Sequence, residues 1–301
     1  MPAERKLGMD TDLYTYSSLV TRTPIRWPDG ARLALWPIVH AEHFELAPPE
    51  SFPQPKNLGR LPMAFPDFRH YTLRDYGNRW GIFRIMRLLD RYGLRATLAV
   101  NSVICDRHPY IIEQALQRKW EVIPAGTHAT RIITSAMPEA DEREYLQTAI
   151  STVARATGKQ PAGWISPELS ESLNTPRLLA ELGIRYVCDW VNDEQPYEVR
   201  TEAGPLVAMP YSVEVSDLTV LAQRKEPVMD YERMLRRQFE GLYREGERHG
   251  LVMALPLHSW LVGQPYRTKY LDRALQYICS YAGVWNATGV EIADHFVAAT
   301  T

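Results

Sequence analysis

Short apolar runs and helical stretches alternate along this chain from residue 31 onward, and that alternation limits its fold more than any other property. Residues 31–40 (ARLALWPIVH) form an apolar run that reads as a buried strand. Runs of similar kind follow at 95–101, 121–125, 162–165, 184–188, 205–210, 251–257 and 284–288. Between them, residues 80–92 carry apolar side chains at helical spacing and stop at Gly93. A helix over 108–118 places Pro109 in its first turn. Further helices are expected over 138–158, from Asn174 to Gly183, over 229–247 and 269–281, and just after Gly289. Strands separated by helices pair in parallel, because each crossover returns the chain to the same end of the sheet. The expected fold is α/β, a distorted barrel of seven or eight β/α units, (β/α)7-8. No linker or internal repeat divides the 301 residues. A single domain over 1–301 is therefore expected, with residues 1–30 as an N-terminal arm. Residues 47–66 hold six prolines, which remove helix and ladder hydrogen bonds, and read as a long Pro-rich loop.

Charge and cysteine usage narrow the function. The formal net charge is −2 and no basic stripe appears, which argues against nucleic acid and against a membrane surface as partner. The expected partner is a small-molecule substrate. The opening residues MPAERKLGMDTDLYTY lack an apolar core, so no signal peptide is expected, and no run reaches the length of a membrane span. Cys105, Cys188 and Cys279 are far apart and show no paired spacing, as reduced thiols would. The expectation is a cytoplasmic protein. The Pro-rich loop and the aromatic residues of the arm point to a homo-oligomer.

In a β/α barrel the reacting groups gather at the C-terminal ends of the strands. The residues that follow the apolar runs are His40, Glu42 and His43; Gly126, Thr127 and His128; Ser166, Glu168 and Ser170; Asp189, Trp190 and Asp193; and His258, Ser259 and Trp260. Imidazole and carboxylate crowd these positions while the strands remain apolar, which points to an enzyme. Glu42 is a candidate general base, since partial burial raises a carboxylate's proton affinity. It also reads as an ordinary polar cap. His258 suits a general acid near neutral pH. His43 and His128 read either as ligands of a metal or substrate or as structural donors. Asp189 and Asp193 flank Trp190 and read either as site groups or as partners of barrel arginines. Glu168 reads either as an acceptor for an amide N–H or as a second acid, and Arg74 and Arg79 as donors to substrate carbonyls; Arg79 can equally start its helix.

Several segments taken together resemble the NodB-like polysaccharide deacetylase superfamily, in the branch with metal-independent allantoinases and cyclic-imide hydrolases. They are Ala41-Glu-His-Phe-Glu45, Arg74-Asp-Tyr-Gly-Asn-Arg79, Gly163-Trp-Ile-Ser-Pro-Glu168, Tyr186-Val-Cys-Asp-Trp190, Leu257-His-Ser-Trp260 and Gly263-Gln-Pro-Tyr266. The resemblance covers residues 30–296 and implies the NodB type of barrel. It implies that Glu42 is the base and His258 the acid, with Asp189 orienting His258 or the substrate. It also implies that His43, His128, Glu168, Trp190, Asp193, Arg74 and Trp260 shape the pocket.

The same resemblance bears on metal. The superfamily's zinc ligands fall at position 43, position 125 and near position 129, which here are His43, Ala125 and Ala129. A catalytic zinc takes three protein ligands plus water. No metal or other cofactor is therefore expected; if one binds, His43 and His128 are its candidate ligands, and Zn2+ is the alternative cofactor. A base acting alone favours an activated acyl group, so the expected activity is metal-independent hydrolysis of a non-peptide C–N bond in a cyclic imide, ureide or small amide. Polarisation of the carbonyl would fall to the Gly126–Thr127 backbone or to a histidine. Two alternatives stay open. One is a repurposed barrel, either a lyase, cyclase or isomerase or a metabolite-binding protein. The other is a zinc-dependent polysaccharide deacetylase with rearranged ligands.

Overall fold

The computed structural model describes residues 10–49 and 66–300. Most of the Pro-rich segment and the first nine residues of the arm lie outside the described residues.

Nine strands are present among these residues: β1 (Leu33–Ala41), β2 (Thr97–Val100), β3 (Glu121–Pro124), β4 (Gly163–Trp164), β5 (Tyr186–Val187), β6 (Tyr197–Val199), β7 (Leu206–Ala208), β8 (Leu251–His258) and β9 (Val284–Asn286). One sheet runs β3-β2-β1-β8, all parallel, with β9 pairing the first residues of β1. A second runs β4-β5-β7-β6. The Ile165 N–H donates to Pro124 O at 3.2 Å and carries the curve from β3 into β4. The resulting arc, β8-β1-β2-β3-β4-β5-β7, is the distorted α/β barrel. No ladder joins β7 to β8 among the described residues. The antiparallel β6 was not legible as a strand in the sequence; it is held by its pairing with β7.

Parity along the long strands separates two layers. Leu33, Leu35 and Val39 of β1 pack outward with Leu251, Met253, Leu255 and Leu257 of β8. Ala34, Trp36 and Ile38 face inward with Val252, Ala254, Ile123 and Ile165. Successive strand residues point to opposite faces, so one residue of register decides which layer a side chain joins.

The outer layer is completed by α1 (Phe68–Tyr76), α2 (Ile82–Arg91), α3 (Val103–Arg107), α4 (Pro109–Gln117), α5 (Glu139–Thr157), α6 (Thr175–Glu181), α7 (Val228–His249) and α8 (Pro265–Ile278), while α9 (Gly289–Thr300) packs Ile292 and Ala293 into the inner layer. Helix α5 opens on Glu139, Asp141 and Glu142, which favour the positive end of its dipole, and closes on Gly158 at φ 70°. The helix expected from residue 80 begins earlier. Asp67 caps α1 by accepting from the His70 N–H at 2.9 Å. A π segment, Gly77–Gly81, then joins α1 to α2. A Cβ on Gly77 would lie 2.6 Å from Ser259 Oγ and Trp260 N, and one on Gly81 would collide with Ser259 O. The two glycines thus let this helix lie directly on the turn after β8, which brings Arg74 to Trp260.

Candidate active site

The same parity builds the mouth of the barrel. His40 pairs in register with His258 across β1 and β8, and both are even-numbered, inward positions. Glu42, one inward step beyond His40, lines the same cavity as both histidines. His43 takes the opposite face and lines a smaller neighbouring pocket with Tyr71, Asn78 and His108.

A line of charge runs through His258. Asp217 Oδ1 lies 2.7 Å from His258 Nδ1, and its Oδ2 accepts from the His258 backbone N–H at 2.9 Å. On the other side, His258 Nε2 is 3.9 Å from Glu42 Oε1. Burial works against a charged imidazole here. The flanking Asp217 and Glu42 carboxylates outweigh that penalty and the opposing Arg74, and the His258 pKa is raised above its ordinary value. His258 is therefore held toward its protonated form beside a carboxylate that can accept a proton.

Glu42 is itself held in place. Trp260 Nε1 donates to Glu42 Oε2 at 2.5 Å, and Arg74 Nε lies 3.3 Å from the same oxygen. The Arg74 guanidinium lies over the Trp260 ring at 4.1 Å and over Phe44 at 5.1 Å. A desolvated cation–π contact of this kind contributes about 2 kcal/mol, enough to fix the planar group. Arg74 Nη1 is buried without a partner. A charge-bearing donor left open beside a cavity is expensive unless a ligand completes it.

The cavity measures about 630 Å³. His40 lies at its floor, with Tyr211 Oη 3.1 Å from His40 Nε2. Burial, and then the charge on His258, push the His40 pKa well down, so His40 is neutral. Glu168 also lines the cavity, at φ 56°, followed by Leu169 at φ 52°. Two consecutive non-glycine residues in the left-handed region are costly and mark a backbone held by its surroundings. Enclosure, reinforced by the Glu42 charge, raises the Glu168 pKa, with Arg74 and His258 opposing.

Other candidates stand elsewhere. Asp189 accepts from the Ser166 N–H at 2.7 Å; the carboxylate hydrogen-bonded to His258 is that of Asp217. Trp190 Nε1 donates to Glu171 at 3.0 Å and its ring meets Tyr14, so it supports the arm. Asp193 pairs with Arg22 of the arm at 2.5 Å. His43 and His128 face each other with ring centroids 5.5 Å apart, outside the main cavity. Burial, helped by Arg107, lowers the His43 pKa to about 4, and burial lowers that of His128. The Thr127 N–H bonds the Tyr145 hydroxyl at 3.2 Å and is not free for a carbonyl. Asp217, His40 and Tyr211 were missed or left without a role. Only His40 carried a sequence signal, through its parity with Glu42.

The donor set does not fit a catalytic zinc. Ala125 and Ala129 present methyl groups to the cavity where the superfamily's ligands fall. Asn101 occupies the space between the strand ends, donating to Ala125 O at 2.5 Å and accepting from the His43 N–H at 2.8 Å. Among the described residues, no three His, Cys, Asp or Glu side chains converge on a point where a metal could sit.

Known proteins share parts of this sequence and most of this fold. Residues 72–187, from α1 through β5, match the family model for polysaccharide deacetylase. The crystal structure of PuuE allantoinase superposes with a TM-score of 0.84 at 28% identity, over 96% of this chain and 97% of that one. A probable polysaccharide deacetylase from Pseudomonas aeruginosa PAO1 superposes with a TM-score of 0.81 at 27% identity, over 91% and 94% of the two chains. A Schizosaccharomyces pombe protein, named provisionally as a polysaccharide deacetylase, is 26% identical over 298 residues, 89% of this chain and 91% of that protein. Over residues 72–187 the chain is similar to the polysaccharide deacetylase family, and over nearly its whole length its α/β barrel is similar to those of an allantoinase and a probable polysaccharide deacetylase.

Proposed function

We propose that this protein hydrolyses the C–N bond of a cyclic imide, a ureide or a small amide by acid–base catalysis without a metal. The observation that carries the reading is the line Asp217–His258–Glu42, with 2.7 Å on one side of the imidazole and 3.9 Å on the other. Glu42 takes a proton from water as the water oxygen bonds to the carbonyl carbon. The C–N bond then breaks, and the His258 Nε2 proton passes to the departing nitrogen. A carboxyl group and a free N–H group result, and the proton on Glu42 returns the pair to its starting state through the neighbouring imidazole. Acid–base groups so placed contribute about 10²- to 10⁴-fold each.

Arg74 supports the reading through its open Nη1, which donates to a carbonyl oxygen as charge develops there. Glu168 stands where a ring N–H would meet it. A flat group that offers carbonyl oxygens and N–H groups along one edge satisfies both. The similarity to the structure of an allantoinase spans nearly the whole chain and supports the reading.

The test is hydrolysis of cyclic imides, ureides and acetamides in excess chelator, with metal content measured on the same preparation. Ring opening that survives chelator, and that falls at least about 100-fold in both Glu42→Gln and His258→Ala, is expected. Loss of turnover on chelation with recovery on added zinc, or parental rates in the double variant, would overturn the proposal.

A further inference from the structure

Besides the reacting groups, the cavity is lined by the apolar side chains of Ile165, Leu169, Val213, Leu218 and Ala222. Leu169, Val213, Leu218 and Ala222 are each only half-buried, with one side packed on the barrel and the other open to the cavity. Leu218 and Ala222 belong to a π segment, Leu218–Gln223, that begins directly after Asp217. That segment buries Val220 and Leu221 and lines the cavity with Leu218, Thr219, Ala222 and Gln223. Asp217, which holds His258, and the Leu218 and Ala222 part of the wall are therefore joined in one turn of chain.

The cavity of about 630 Å³ lies in the range of about 300–1,000 Å³ that encloses drug-sized ligands. A bare ring of a few heavy atoms, placed against Glu42, His258, Arg74 and Glu168, would leave much of the apolar lining facing water. Apolar walls of this kind gain by excluding water, at about fourfold in binding for each methylene covered, or about 0.8 kcal/mol. Resting on the hydrolase reading above, we infer that the substrate is a ring imide or ureide bearing an apolar substituent of about four or more carbons. The wall of Leu169, Val213, Leu218 and Ala222 receives that substituent while the ring edge meets Arg74 and Glu168. The substituent sets which ring is chosen; the ring supplies the bond that breaks.

The probes are hydantoin and its isobutyl and benzyl derivatives at the ring carbon, with succinimide and its alkyl derivatives as a second series. Both kcat/KM and calorimetric Kd are measured on the full chain. The substituted rings are expected to exceed their parents at least about tenfold in kcat/KM. That ratio is expected to fall several-fold in Leu218→Ala and, by added charge, in Ala222→Glu. Rings opened at equal rates with and without the substituent would overturn the inference and leave the hydrolase reading standing. If no ring is opened, the Kd values still decide. Tighter binding of the substituted rings, lost in Leu218→Ala, would support the apolar subsite while the hydrolase reading fails. Equal Kd values would overturn the subsite.

Discussion

His40 and His258 stack face to face, with ring centroids 4.3 Å apart and planes within 4° of parallel. They are register partners on adjacent parallel strands, so backbone pairing sets the stack. The two imidazoles are driven apart in proton affinity, one down and one up. A pair of titratable groups split in this way identifies which member holds the proton.

Replacing Asp217 with Asn tests the source of the His258 shift. The Asp217 charge stabilises the imidazolium, so its loss lowers the His258 pKa. The acid is then deprotonated at a lower pH, and the alkaline limb of kcat/KM moves toward acid. A fall in kcat of about 10³- to 10⁴-fold is expected by analogy with other carboxylate–histidine pairs. The pH–rate profile, together with imidazole NMR of both proteins, reads the shift directly; an alkaline limb that stays in place would place the cause elsewhere.

Acid should unfold this protein through its buried histidines. His40 and His43 have folded-state pKa values below their ordinary value, by burial first in each case. Their neutral forms fit the fold, so the stability they contribute is full above the unfolded pKa near 6.5. It is lost as pH falls through the window from about 6.5 toward about 4 for His43. The urea midpoint is expected to drop between pH 7 and 5. His43→Asn should flatten that slope, and urea titrations at four pH values would show whether it does.

Glu171 titrates in the opposite sense. Burial, then the neighbouring Asp189, raise its pKa to about 9, and its Oε1 lies buried beside the equally unpartnered Asp189 Oδ2. The folded protein holds a proton there that the unfolded chain releases near 4.5, so this contribution weakens as pH rises from about 4.5 toward about 9. Gln at position 171 is neutral at every pH and keeps an oxygen for the Trp190 N–H. The Glu171→Gln protein is expected to gain Tm over the parent as pH increases from 5 to 9. A constant difference in Tm across that range would contradict the raised pKa of Glu171.

Gly81→Ala should cost about 2–3 kcal/mol by overpacking, since the new methyl meets the Ser259 carbonyl and neither backbone can move far. The displaced turn carries Trp260, which holds Glu42, so kcat is expected to fall with stability. Ala at Gly93, where nothing lies within 4 Å, strains only the local turn and should leave kcat unaltered. Thermal melts and kcat for the two variants separate close approach from backbone freedom.

Much of the barrel and part of the site were legible in the residues themselves. Apolar runs of strand length separated by helical stretches specify parallel pairing, because the crossover length permits little else. Period-two alternation places His40, Glu42 and His258 on one inward face. Strictly applied, the same alternation also sends His43 to the other side, away from any shared site with Glu42. The resemblance to the superfamily puts two zinc ligands at position 125 and near 129, where alanine offers no donor.

Asp217 could not be read this way. It lies 41 positions before His258 in a stretch without strand or helix periodicity, and it reaches the imidazole only because the chain between β7 and α7 folds against the end of β8. Asp189, by contrast, sits at a strand end as expected, but the Ser166 N–H and the neighbouring Glu171 claim it. Nor does sequence spacing announce the left-handed backbone at Glu168 and Leu169, or the π segment that turns Leu218 and Ala222 into the cavity. Periodicity is a local property of the backbone and survives in one dimension. The partner of a buried charge is settled by which distant groups the closed barrel brings within hydrogen-bond reach, and that is decided only in three.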